Sequence, residues 1–195
     1  MVARTGQMVP EGRDFGQDGP VPTSDGLFEL LAAAREGNDA ALAELVRATQ
    51  PAVWRLCAAL GAPEDPSDLT QETYVRVLRA MHSFRGEAPV QAWILSIARR
   101  VCADAVRKLQ RQRRLVDRIS QSLISSESPA TDGSLDDLVG RLPAERREVF
   151  VLTQQLGLSY EEAAEVIGCP VGTVRSRLAR ARAELLDAVR SAETG

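Results

Sequence analysis

Ser159-Tyr160-Glu161-Glu162 constrains this chain more than any other feature, because it has the form of a helix entry closed from both sides. In such a box the Ser159 hydroxyl accepts the backbone N–H of Glu162, and the Glu162 side chain reaches back to the serine's own N–H. Two of the four orphan donors of a helix start are then satisfied. Ala163, Ala164, Val166 and Ile167 supply an apolar face, and Gly168 stands where a left-handed residue would end the helix. Pro170 suits the first turn of a second helix, since its missing N–H would be unpaired there anyway. Val171, Val174, Leu178, Ala181 and Leu185 then recur at helical spacing as one apolar stripe. The spacing predicts helix, tight turn, helix.

The face opposite that stripe holds Gly172, Thr173, Ser176 and Arg180, flanked by Arg175, Arg177 and Ala179. Short side chains and guanidinium groups can enter a major groove without bulk, pair with guanine and hold flanking phosphates. The same face also fits a solvated structural hairpin. Cap, turn and arginine face agree on the DNA-reading alternative, and that agreement is what a lone motif lacks.

Upstream, the pattern is helical throughout, with no strand-like alternation. Leu27, Leu30, Leu31 and Ala34 share one face, and a turn at 37–39 precedes a helix carrying Leu42, Leu45, Val46 and Thr49. Pro51 is expected to interrupt or restart it before Val53, Leu56, Cys57 and Leu60. After a break at 61–66, Ser67 or Asp68 is the expected cap of a helix to Met81, with Leu69, Thr73, Val77 and Ala80 inward. A loop over 84–89 leads to a long helix from Val90 to about Arg114, with Trp93, Ile94, Ile97, Ala98, Val101 and Ala105 on its core side.

Formal net charge is only −3, so any nucleic-acid signal lies in how charge is distributed. Arg85, Arg99, Arg100, Arg107, Lys108, Arg111, Arg113 and Arg114 form one basic block, and Arg175, Arg177, Arg180, Arg182 and Arg190 a second. The first block suits phosphates and equally suits a soluble helix. Trp93 and Phe84 read as core anchors or as base-stacking platforms.

Residues 1–26, rich in Gly, Pro, Asp and Gln, read as a disordered leader without a secretory layout, and no apolar run reaches 18 residues, so a cytoplasmic location is expected. Residues 115–137, with Glu127, Asp132, Asp136 and Asp137, read as a flexible acidic linker, and 191–195 as a tail. The expected fold is all-α, with helical domains at 27–114 and 138–190. Cys57, Cys102 and Cys169 lack CxxC spacing and His82 is the single histidine, so no metal, cofactor or disulfide scaffold is expected and the thiols read as small hydrophobes.

The stretch DLTQETYVRV (68–77), then FRGEA (84–88) with AWILSIAR (92–99), then Leu142-Pro143, LSYEEAA (158–164) and CPVGTVRSR (169–177), resembles the extracytoplasmic-function (ECF) subfamily of the sigma-70 family of RNA polymerase sigma factors. The resemblance implies a region 2 bundle and a region 4 helix-turn-helix. It implies that Asp68, Leu69, Gln71, Glu72, Tyr74 and Val75 bind the beta-prime clamp helices of core RNA polymerase. It gives the minus-10 element to Phe84, Arg85, Gly86, Trp93, Arg99, Arg100, Arg107, Lys108 and Arg111, with a flipped base held near the 84–89 loop. It gives the minus-35 element to Thr173, Arg175, Ser176, Arg177 and Arg180. The beta flap, promoter DNA and an anti-sigma factor are the further partners implied, and the linker's acidic residues would occupy the RNA exit path.

Arg100 stands where many members carry Asn, which leaves the details of downstream-element contact open, and Ala179 stands where some carry an aromatic, so the upstream box read here is expected to differ from theirs. The basic helix lacks a row of aromatics, which predicts weak intrinsic melting and dependence on a well-matched promoter. A free-standing helix-turn-helix regulator is the alternative. An enzyme finds no triad, phosphate loop or metal set to support it.

Overall fold

The computed structural model describes residues 24–119 and 135–193, and among these every regular element is helical. The expected leader to residue 23, most of the expected linker (120–134) and the last two residues lie outside the described residues. Helices α1 (Ser24–Arg35), α2 (Asp39–Leu60), α3 (Pro66–Ala80) and α4 (Val90–Ile119) build the first unit. The second comprises α5 (Leu135–Arg141), α6 (Ala144–Phe150) continued by a π turn (Val151–Gln155), α7 (Tyr160–Ile167) and α8 (Val171–Glu193).

Several boundaries differ from the sequence expectation, beginning with α1, which starts at Ser24 inside the expected leader. Helix α2 runs unbroken through Pro51, because Thr49, Val53, Leu56 and Cys57 stay on one buried face and packing on that face outweighs one lost backbone bond. The cap of α3 is Asp65, not Ser67 or Asp68: its carboxylate accepts from the Ser67 N–H at 2.7 Å, and Pro66 takes the first turn. The expected linker also shortens at both ends, since α4 continues to Ile119 and α5 begins at Leu135, which puts Asp136 and Asp137 in a helical first turn.

The capping box forms as read: the Ser159 N–H donates to Glu162 Oε2 at 2.8 Å, and the Glu162 N–H donates to Ser159 Oγ at 3.1 Å. Gly168 closes α7 at φ 77°, and Pro170 stands one residue before α8, its carbonyl accepting from the Thr173 N–H at 2.9 Å. Val174, Leu178, Ala181 and Leu185 are buried as the stripe requires.

The two units share one continuous apolar core that runs from Leu27 through Ile94 and Leu95 to Leu152 and Leu178. Helix α7 packs on α4, and α6 packs on α2. Arg147 Nη1 donates across this boundary to the Ala59 carbonyl at 3.2 Å, while its Nη2 donates to the Leu142 carbonyl at 3.0 Å. Burial pushes that guanidinium's pKa below its ordinary value. Sequence pattern located both units but gave no sign that they close on one another.

Candidate nucleic-acid interface

Helix α8 presents Arg175, Ser176, Ala179 and Arg180 to solvent, with Thr173 half-exposed at the tip. Ser176 Oγ donates to the Thr173 carbonyl at 3.1 Å, which folds a short polar chain back against its own helix and leaves room at the tip. Arg175 lies with its guanidinium carbon 5.9 Å from the Tyr160 ring centroid, so the first helix of the motif orients a side chain of the second. Arg177 is half-buried and pairs with Glu145 of α6 at 2.6 Å. It therefore braces the unit in this conformation instead of standing free with Arg175 and Arg180.

On α4 the exposed cations include Arg100, Arg107, Lys108 and Arg111, followed by Arg113 and Arg114. Arg107 is tied to Asp104 at 2.6 Å, and the other oxygen of the same carboxylate takes Arg76 of α3 at 2.8 Å. The Arg76 guanidinium, seconded by Arg107, holds the Asp104 carboxyl below the usual carboxylate range. Asp104 thus joins α3 to α4, a role that sequence charge patterning did not single out. Arg99 points to the second unit, where it pairs with Glu148.

Phe84 is only 8% exposed, with its ring 4.8 Å from that of half-buried Trp93. Of the two readings left open for Phe84, this conformation has the core anchor: the ring pins the 84–89 loop to the bundle. Arg35 of α1 fixes the same loop by donating to the His82 carbonyl at 3.1 Å and the Phe84 carbonyl at 3.4 Å. Arg85 and Gly86 remain exposed beyond this anchor, Gly86 at φ 75°. Beside them a shallow recess of about 290 Å³ is lined by Ser24, Asp25, Phe28 and residues 86–90, and Phe28 is 52% exposed. Phe28 and Arg35 were missed because α1 reads as an ordinary amphipathic helix.

Along α3, Asp68, Gln71, Glu72 and Val75 share one exposed face, extended by Leu78 at 40% exposure. Leu69 and Tyr74 do not join it. Leu69 is 7% exposed, and Tyr74 turns its hydroxyl to Thr49 Oγ1 at 2.8 Å, as the helical period from the other inward residues demands.

Among the described residues no group of His, Cys, Asp and Glu is arranged to hold a metal ion, and no helix is long and apolar enough to cross a membrane. Cys57 and Cys102, distant in sequence, come within hydrogen-bonding reach inside the α2–α4 packing, and that contact together with burial pushes the Cys102 thiol up.

A helix-turn-helix with an exposed arginine tip, joined to a helical bundle with a cationic long helix, defines a protein of the DNA-reading class. Family comparison makes this specific. "Sigma-70 region 2" matches residues 45–112 and "Sigma-70, region 4" matches residues 132–185. The ECF RNA polymerase sigma factor SigC of Mycobacterium tuberculosis is 42% identical over 164 residues, covering 80% of this chain and 88% of that protein. SigE of Mycolicibacterium smegmatis is 32% identical, covering 93% and 74%. The chain belongs to the ECF sigma factors of the sigma-70 family. Among solved structures it is similar to CnrH in complex with the cytosolic domain of CnrY, with TM-score 0.66 and 30% identity over 87% of this chain and 99% of that one. It is similar too to the sigma factor RpoE in complex with the anti-sigma factor NepR from Bartonella quintana, with TM-score 0.62 and 27% identity over 76% and 96%.

Proposed function

We propose that this sigma factor divides promoter recognition among three surfaces and performs no covalent chemistry of its own. The exposed α3 face, Asp68, Gln71, Glu72 and Val75 with Leu78, docks on core RNA polymerase at the beta-prime clamp helices. The cationic side of α4, Arg100, Arg107, Lys108 and Arg111, holds phosphates of the minus-10 strand, and the recess beside Gly86 receives an extruded base. Arg99 joins them once the two units part. The tip of α8, Thr173, Arg175, Ser176 and Arg180, reads the minus-35 element in the major groove, where Arg177 supports it from Glu145.

The observation that carries this reading is the division of labour among the arginines. Those on α4 lie along a helix side suited to a backbone, whereas Arg175 and Arg180 surround short side chains at a helix tip suited to base edges. Ala179 presents only a methyl group there, which fits contact with a thymine methyl. The protein would work in the cytoplasm, beside the chromosome. An anti-sigma partner is part of the same proposal, supported by the complexes in which CnrH and RpoE were solved.

Single alanine variants in run-off transcription with reconstituted holoenzyme test the division. Arg175→Ala and Arg180→Ala should cost about 10- to 100-fold on a matched promoter and relax preference at one upstream position, the size of a lost bidentate base contact. Arg100→Ala and Lys108→Ala should weaken all promoters alike and lower the salt slope by about one each. Equal loss from both sets, with base preference unchanged, would contradict the assignment.

A further inference from the structure

Helix α1 lies outside both family matches, which begin at residues 45 and 132, yet it meets the 84–89 loop at both ends. At one end Arg35 donates to the His82 and Phe84 carbonyls, and at the other Phe28 stands beside residues 86–90. The face of α1 that carries Leu27, Leu31 and Ala34 is buried in the bundle. Ser24, Asp25 and Phe28, one turn apart, fall together on another side of the helix and make one wall of the recess. The loop supplies the facing wall: a Cβ at Gly86 would meet Phe28 Cε2 at 3.5 Å, so the ring edge lies over loop backbone that carries no side chain there. An isolated exposed phenyl needs no explanation. A phenyl 52% exposed at the side of a recess of about 290 Å³, on a helix whose arginine also fixes the loop, has the form of a platform.

We infer that Phe28 is the stacking wall on which the extruded base of the minus-10 strand rests, a DNA-binding residue supplied from outside the region 2 match. This rests on the reading above that the recess receives that base. The loop's own aromatic is committed elsewhere, since Phe84 is 8% exposed with its ring against Trp93. Phe28 is the most exposed aromatic among the described residues, and every base has a π face to lay against such a ring. The rim decides which part of a nucleotide enters. Asp25 and Glu87 put carboxylates there, which repel phosphate, while Arg85, 4.0 Å from Glu87, and the cations of α4 stand outside to take the backbone. Phe28 therefore registers that a base is present and unpaired, not which base it is, because stacking tolerates sequence.

The test titrates reconstituted holoenzyme with fork-junction DNA from a promoter mapped by its own initiation. An abasic sugar is placed in turn at each non-template position of the minus-10 element. For wild type, the abasic sugar should weaken binding about tenfold at the position whose base is extruded, the size of one base–aromatic stack. Phe28→Ala should bind the intact fork about tenfold more weakly, and removing that same base should then cost less than about twofold more. Phe28→Trp should keep both wild-type properties, whereas Phe28→Leu, apolar but without a π face, should behave as Phe28→Ala. Thermal unfolding and co-elution with core check that each variant is folded, and the half-exposed ring predicts that both stay at wild type. A Phe28→Ala holoenzyme that binds the intact fork as wild type does, and keeps the full abasic penalty, would overturn the stacking role and leave the recess reading standing. A Phe28→Leu holoenzyme equal to wild type would overturn it too. A wild type indifferent to every abasic position would overturn the recess reading and the stacking role together.

Discussion

At the scale of single residues, burial and partner decide what each side chain can do, and composition does not. Tyr74 shows this most directly. Its position in DLTQETYVRV suggested an outward, polymerase-facing role, yet its hydroxyl sits against Thr49 and burial pushes its pKa up to about 12. A phenol with a raised folded-state pKa contributes stability that is fully present below the unfolded value, about 10, and is lost as pH rises through 12. Wild-type protein is therefore expected to lose at most about 2–3 kcal/mol between pH 10 and 12. Tyr74→Phe should flatten that loss, and urea titrations across the interval measure it. Loss of the same size in the variant would show that other groups carry it. Arg99, Arg177 and Phe84 teach the same lesson, because a motif names a residue type at a position while tertiary packing decides whether it faces DNA, a carboxylate or the core.

At the scale of elements, legibility followed how local the determining forces are. The α7–turn–α8 motif was readable because box, left-handed glycine and apolar stripe act within a few residues, and all three are present. Pro51 misled because the face it interrupts is held by tertiary packing, and Asp65 was passed over as cap because Pro66 was read as part of a break. Gly61, between α2 and α3, shows why their junction is tight. A Cβ there would fall 2.8 Å from the Cys57 carbonyl oxygen and collide with the Leu69 side chain, which must stay inward for α3 to present its outer face. Gly61→Ala is expected to cost about 1–3 kcal/mol through overpacking, seen as a lower midpoint in thermal unfolding. An unchanged midpoint would mean that the junction has slack. Surface substitutions on α3, such as Gln71→Ala, should leave that midpoint in place.

At the scale of the whole molecule, the all-helical fold and its two units were legible from sequence, while their closure on one another was not. Closure depends on contacts between residues some fifty positions apart, Arg99 with Glu148 above all, and no periodicity reports a pair so distant. The same gap explains why Arg99 looked like one more member of a basic helix. Under the proposed function the two units are used together, one to hold polymerase and the minus-10 strand, the other to set register upstream. The most direct test is to mix the purified full chain with core RNA polymerase, follow co-elution, and then map initiation on fragments of its own genome. Co-elution with initiation at discrete sites that share an upstream box is the predicted result. Sequence-specific binding by the protein alone, with neither co-elution nor initiation by active core, would contradict the account and leave a free-standing helix-turn-helix regulator.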